Sequence, residues 1–158
     1  MYIHLIVMMI HDDHPSDGLF ALRCACQNLR LVTRLVTRIY DQELRKTGIE
    51  ITQFGLLTAL AIVDEADRKA LRAGFAMDST APTRAQALLR KQGGIDVRPG
   101  KDKHARVFRI TEAGKRQVAA AQTHWRAAER RLRKTLGSVD WKQMQATVIR
   151  VTSAATEA

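Results

Sequence analysis

Residues 93–114 read GGIDVRPGKDKHARVFRITEAG, and this stretch decides the fold. Ile95 to Arg98 alternates apolar and polar residues, and a turn rich in Pro, Gly and Lys follows from Pro99 to His104. A second alternating run, Arg106-Val107-Phe108-Arg109-Ile110, leads into Thr111-Glu112-Ala113-Gly114 and a long helical pattern. Two alternating runs around a Gly-containing connection predict a β-hairpin. The connection carries Lys101, Lys103 and His104 against one acid, Asp102. A tip this basic has little to pack against but is suited to phosphates. Ser79 to Gln92, just before it, reads as a helix. A helix followed by a basic hairpin is the layout of a winged helix-turn-helix, so nucleic acid is the first partner to consider.

Charge agrees. The 158-residue chain carries a net charge of +10, and the basic residues are clustered. Between Arg84 and Arg109 there are eight Lys or Arg and two acids, Asp96 and Asp102. Arg126, Arg130, Arg131, Arg133 and Lys134 form a second cluster. A positive field favours polyanions but carries no sequence specificity. The length is that of one domain able to bury a core. Cys24 and Cys26 are too few for a disulfide framework, which points to the cytoplasm. The apolar N-terminus, MYIHLIVMMI, is too short to span a bilayer and lacks the basic start and cleavage site of a signal peptide. It reads as an arm that packs on its own domain or on a partner subunit. No membrane partner is expected.

Working outward, Leu19 to Arg45 contains no Pro or Gly, and Leu22, Cys26, Leu29, Val36 and Leu44 fall on one helical face. Asp17 is its expected N-cap and Gly48 its end. Thr52 is expected to cap a second helix reaching about Val63. Asp64 to Ala66 reads as a break, Asp67 to Phe75 as a short third helix, and Asp78 or Ser79 as the start of a fourth. Pro82 is tolerated in that helix's first turn. Thr111 is expected to cap a long helix ending at Gly137, with a stripe of Val118, Gln122, Trp125, Ala128 or Glu129, Leu132 and Leu136. A last helix, Ser138 to Thr152, places Trp141, Met144, Val148 and Val151 on one face. The terminal stripes exceed what a wing domain needs and predict a homodimer, suited to a two-fold DNA operator. The expected fold class is mostly α with a small β-hairpin wing: a winged helix-turn-helix flanked by long dimerisation helices. The expected divisions are an arm at 1–18, a dimerisation helix at 19–48, the DNA-binding domain at 49–112 and C-terminal dimerisation helices at 113–158.

In order and spacing, the segment from Leu19 to Gly137 resembles the MarR family of bacterial winged-helix repressors. Four segments carry the resemblance. They are Arg38-Ile39-Tyr40-Asp41 with Leu44-Arg45 and Gly48; Thr52-Gln53-Phe54 with Leu56-Leu57 and Leu60; Met77-Asp78-Ser79-Thr80 with Thr83-Arg84, Leu89 and Gly93; and Asp102 with Arg106-Val107, Ile110-Thr111 and Gly114. The chain departs from the family where Pro82 replaces a usual Leu, and where Asp102-Lys103-His104 replaces a usual Asp-x-Arg pair. A His in place of that Arg makes the wing contact pH-sensitive or absent.

The resemblance implies a dimeric, sequence-specific DNA-binding transcriptional regulator, a repressor answering a small molecule or an oxidant. The fourth helix would enter the major groove, with Ser79, Thr80, Thr83, Arg84 and Gln86 as candidates to touch double-stranded DNA. Arg84 would fork onto guanine and Gln86 would pair with adenine. Lys101, Lys103, His104 and Arg106 would sit on phosphates or in the minor groove, and Arg98 would face solvent or the backbone. Within the family, organic-hydroperoxide repressors of the OhrR type place a reactive Cys fourteen residues before a Tyr near the end of the first helix. Cys26 stands fourteen residues before Tyr40 here, with Arg30 where that type has a Tyr. Other members bind small aromatic acids or phenols, for which Arg34, Tyr40, Phe54 and Trp125 are the candidate walls and anchor. Cys24 and Cys26 point apart on a helix and do not readily form one disulfide.

No catalytic constellation stands out. There is no phosphate-cradling Gly loop and no Gly-x-Ser-x-Gly, and His4, His11, His14, His104 and His124 lack metal-ligand spacing. No metal, cofactor or enzymatic activity is expected. Two alternatives remain: a basic protein that coats nucleic acid without specificity, and a peroxidase using Cys26 as nucleophile.

Overall fold

The computed structural model describes residues 24–75, 80–100 and 105–156. The N-terminal arm, Asp17, Leu19, Leu22, Met77, Asp78, Ser79, Lys101, Asp102, Lys103 and His104 lie outside the described residues. The chain divides into two compact units, Met1–Ile39 and Tyr40–Ala158. The described elements are α1 (Ala25–Leu44), a 3-10 turn (Arg45–Thr47), α2 (Ile51–Val63), β1 (Glu65–Asp67), α3 (Arg68–Phe75), α4 (Thr80–Lys91), β2 (Ile95–Pro99), β3 (Arg106–Ile110) and α5 (Glu112–Thr156). The fold is mostly helical with a small antiparallel sheet, as the sequence predicts.

The described part of the first unit is the α1 segment 24–39. Its apolar residues Leu29, Val32 and Leu35 are 49%, 52% and 44% exposed.

The second unit is built on α2. This helix touches α4, α5 and the strands β1 and β3. Phe54, Leu56, Leu57 and Leu60 are buried along it, and Leu57 and Leu60 are wholly inaccessible. Leu44, Ile49, Leu89 and Ile95 are the other large side chains that are fully buried. The N-cap of α2 is Glu50, not Thr52. Its backbone N–H donates to Gln53 Oε1 at 2.8 Å, and the N–H of Ile51 donates to Asp41 Oδ1 at 2.8 Å. An orphan N–H of the first turn is thus satisfied by a side chain ten residues earlier.

The sheet order is β1-β3-β2. Glu65-Ala66-Asp67 forms a strand on β3, where the sequence predicts a break to Ala66 and a helix from Asp67; Glu65 pairs with Arg109 and Asp67 with Val107. Three residues are too few to show alternation in a sequence. The hairpin has Ile95 opposite Ile110, Val97 opposite Phe108 and Pro99 opposite Arg106.

Helix α4 ends in a Schellman motif. Gly93 takes φ +72°, its N–H donates to the Arg90 carbonyl, and the N–H of Gly94 donates to the Leu89 carbonyl. Thr111 then clasps this end to α5. Its hydroxyl donates to the Gly93 carbonyl at 2.6 Å and accepts the Gly114 N–H at 3.0 Å, while its own N–H donates to the Gly94 carbonyl at 3.1 Å.

Helix α5 buries Gly114, Ala121 and Ala128. Gln122, expected on the inner stripe, is exposed, and the buried face runs through Ala121 instead. Small residues at seven-residue spacing let the helix come close to its neighbours. Gly137, at φ +78° and ψ +170°, breaks α5 where the sequence places a helix end. Beyond it Trp141 is buried with the Arg133 guanidinium 5.5 Å from its ring centre, and Val139, Val148, Ile149 and Val151 are exposed. Tyr40 opens the second unit. It is buried, and its hydroxyl donates to Glu129 of α5.

Two tests follow from these contacts. A Cβ on Gly114 would collide with the Gly94 carbonyl oxygen and meet Ile110 Cγ1 at 2.9 Å. Gly114→Ala should therefore cost about 1–3 kcal/mol in urea unfolding. Gly74→Ala, with nothing within 4 Å, should gain up to about 1 kcal/mol. Equal effects would contradict the close approach. Burial first, and then the Glu129 carboxylate, hold Tyr40 protonated above its ordinary value of 10.0. A raised folded value means a contribution present in full below the ordinary value and lost as pH rises beyond it. Tyr40→Phe should cost about 1.5 kcal/mol near neutral pH. The gap to wild type should hold to about pH 9 and close above about pH 10. A gap that stays constant to about pH 11 would mean the hydroxyl makes no such bond.

Candidate nucleic-acid interface

Helix α4 and the hairpin stand side by side because the Gly93–Thr111 clasp fixes their bases. On α4, Ala85, Gln86 and Leu89 are buried, while Arg84, Ala87 and Arg90 are exposed. Thr80 and Thr83 precede Arg84 and Ala87 by one helical turn in the sequence of α4. Gln86, expected to read adenine, is only 7% exposed and faces the sheet. The correction is one of helix phase. The interval from Gln86 to Leu89 puts the amide on the core side, although a polar residue on a basic helix reads as an outer one.

The hairpin ladder closes with the Gly100 N–H donating to the Ala105 carbonyl at 2.9 Å. Arg98 lies opposite Val107, and Arg106 opposite Pro99, so the two arginines project from opposite faces of the wing. Both are exposed. Ser79, Lys101, Lys103 and His104 fall outside the described residues, and of Thr80 and Thr83 only the helical backbone is described.

Between α4, the wing and the start of α3 lies a cavity of about 360 Å³ lined by Arg68, Gln86, Ala87, Arg90, Val97, Arg106 and Phe108. Arg68 and Arg90 were not among the sequence candidates. The tertiary packing of β1 and α3 brings Arg68 there, and no sequence spacing signals it. On the other sheet face, Arg109 pairs in register with Glu65 and Asp96.

The expected effector residues separate. Phe54 and Trp125 stack with centroids 6.1 Å apart and planes at 24°. Both line a second cavity of about 540 Å³, walled by α2, Ala66, the α3 residues Ala70, Leu71 and Gly74, and Trp125. Thr58 lines it too, and its hydroxyl is buried without a partner among the described residues. Tyr40 is not on this wall and is committed to Glu129. Arg34 is exposed on α1. Cys24 is half-buried and Cys26 exposed, and neither is in a disulfide. Among the described residues no group of three or more His, Cys, Asp or Glu is placed to hold a metal ion. No single described helix is long and apolar enough to cross a membrane.

No protein-family sequence model matches the chain, and no curated protein matches it by sequence. Solved structures do. The M. tuberculosis transcriptional regulator MosR, in complex with DNA, is 25% identical with a TM-score of 0.75, over 85% of this chain and 98% of that one. A mutant MarR from E. coli complexed with operator DNA is 18% identical, TM-score 0.73, over 86% and 99%. A MarR-family transcriptional regulator from Rhodococcus sp. RHA1 is 17% identical, TM-score 0.69, over 82% and 95%. The likeness runs along most of each chain's length, and the fold is that of the winged-helix transcriptional regulators it matches, MarR among them.

Proposed function

We propose that the chain is a dimeric, sequence-specific regulator of transcription that binds duplex DNA as a repressor. The observation that carries this is Arg84, exposed on α4 beside a wing whose Arg98 and Arg106 are also exposed, in a fold shared with a regulator solved on DNA. In this reading Arg84 forks onto guanine O6 and N7. Thr80, Thr83 and Ser79 approach the same groove. Arg98, Lys101, Lys103, His104 and Arg106 hold phosphates or the minor groove. The exposed residues Leu29, Val32 and Leu35 of the first unit, and Val139, Val148, Ile149 and Val151 of the second, are apolar surface for a second copy to cover. Residues 19–48 and 113–158 then serve dimerisation, and 49–112 serve DNA binding.

The signal enters in this reading at the Phe54–Trp125 cavity. Its volume is in the range of small-molecule sites. Its described lining holds no cation, so the ligand it fits is neutral and largely apolar, such as an uncharged phenol. An aromatic acid would leave its carboxylate unpaired. A second reading places the sensor at Cys26, exposed and free, fourteen residues before Tyr40 along α1. Its sulfenic acid would add a polar oxygen beside the apolar surface of Leu29 and Val32.

One assay tests these readings together: fluorescence anisotropy of a labelled duplex of about three helical turns. Binding should weaken steeply with salt, with a log–log slope of roughly −0.9 per phosphate neutralised. Arg84→Ala should cost about 1–3 kcal/mol on a preferred sequence and far less on random DNA. Equal losses on both would favour a coating protein, as would equal wild-type affinities. Phenol should release the duplex and salicylate should not. Release by salicylate alone would reject the neutral ligand. Release by cumene hydroperoxide in wild type but not in Cys26→Ser would make the thiol the sensor, and steady peroxide consumption with added thiol would make the chain a peroxidase.

A further inference from the structure

The cavity between α4 and the wing has one sign of charge. Arg68, Arg90 and Arg106 come from three different elements, α3, α4 and β3, and all are exposed at its rim. No described residue lining it is acidic. None of the three arginines forms an ion pair with a carboxylate among the described residues, whereas Arg45, Lys46 and Lys115 each do. The floor is the cross-strand pair Val97–Phe108, and the inner wall is the Gln86 amide. Arg106 and Phe108 share one face of β3, and Gln86 and Arg90 share one face of α4.

Three guanidiniums around one recess repel each other unless an anion sits among them. Guanidinium forks match phosphate oxygens in geometry and charge. The recess also continues the outer face of α4. Ala87 lines it and lies one turn beyond Thr83 and three residues beyond Arg84. Arg106, opposite Pro99, carries it to the tip end of the wing's ladder. A strand of duplex backbone that passes from a major groove filled by α4 to a minor groove filled by the wing crosses between these two elements.

We propose that this recess seats one backbone phosphate of the bound duplex, clamped by Arg68, Arg90 and Arg106. The inference rests on the DNA-binding reading and adds to it. The clamp fixes the register of α4 against the groove without reading a base, so it acts alike on every sequence. Gln86 lines the wall of this seat and does not reach an adenine.

The test uses a random-sequence duplex, for which no operator need be known. Anisotropy is followed across salt for wild type, Arg68→Gln, Arg90→Gln and the charge-matched control Arg150→Gln, whose residue is exposed far along α5. Each cavity variant should bind at least about tenfold more weakly, the loss of a hydrogen-bonded charge contact. Each should also flatten the log–log salt slope by about one unit, with a thermal melt like that of wild type. Arg150→Gln should change the slope little. If Arg68→Gln and Arg90→Gln both behave like Arg150→Gln, the clamp is overturned while DNA binding stands. If titration calorimetry shows inorganic phosphate binding wild type but not Arg90→Gln, with duplex affinity unchanged, the recess takes a free anion and the backbone proposal is overturned. A wild type that binds no duplex at about 50 mM salt fails the DNA-binding reading itself.

Discussion

Helix α2 must be covered on several sides at once, and that requirement arranges the second unit. Leu57 and Leu60 are wholly inaccessible, with Phe54 and Leu56 nearly so. Burying each such side chain contributes roughly 1.5–3 kcal/mol, and exposing it through a shift of α4, α5 or the sheet would forfeit that. The three covering elements therefore take one arrangement. Asp41 and Gln53 fix where α2 begins, and Asp64, at φ +61°, turns the chain out of it into β1. The cover thins at the far end. Ile62 and Val63 are 80% and 55% exposed, on the rim of the apolar cavity.

Function depends on a smaller device resting on that core. Gly93, Gly94 and Thr111 join the end of α4, the start of β2 and the start of α5 through a handful of hydrogen bonds. Gly114 lets α5 come up against the Gly94 carbonyl. Helix and wing thus leave a common base with little freedom between them. Arg84 on one and Arg106 on the other are presented as a pair, with the recess of Arg68 and Arg90 between. In the proposed DNA-binding reading, a rigid base holds helix and wing at the fixed separation that two grooves of a duplex require. The Phe54–Trp125 cavity touches α2, β1, α3 and α5. A ligand there would bear on the elements that position α4, not on α4 itself.

Much of this was legible in the chain. The alternation in Ile95–Arg98 and Arg106–Ile110 showed the hairpin, because period two has no helical reading. Thr111 and Gly137 marked the start and the break of α5 through their ordinary capping and breaking chemistry. The misses share a physical origin. β1 is three residues long and becomes a strand only because β3 offers it an edge. Polarity points Gln86 outward and the spacing from Val118 to Trp125 points Gln122 inward, whereas the helix phase set by Leu89 and Ala121 decides both the other way. The bond of Tyr40 to Glu129 spans 89 residues, and no spacing in a sequence signals it, because aromatic residues in cores and in pockets are the same there. Arg68 and Arg90 are 22 residues apart, and only packing puts them at one recess.

The central claim is that two copies of this chain read a two-fold site through α4. Repeated selection of bound duplexes from a randomised library tests it most directly. The account predicts enrichment of an inverted repeat with half-site centres about 10–10.5 base pairs apart, or a multiple of that spacing. Arg84→Ala should lose the preference at one symmetric pair of positions while still pulling down DNA. A bound pool that stays as random as the input would contradict the account, and so would a single asymmetric half-site.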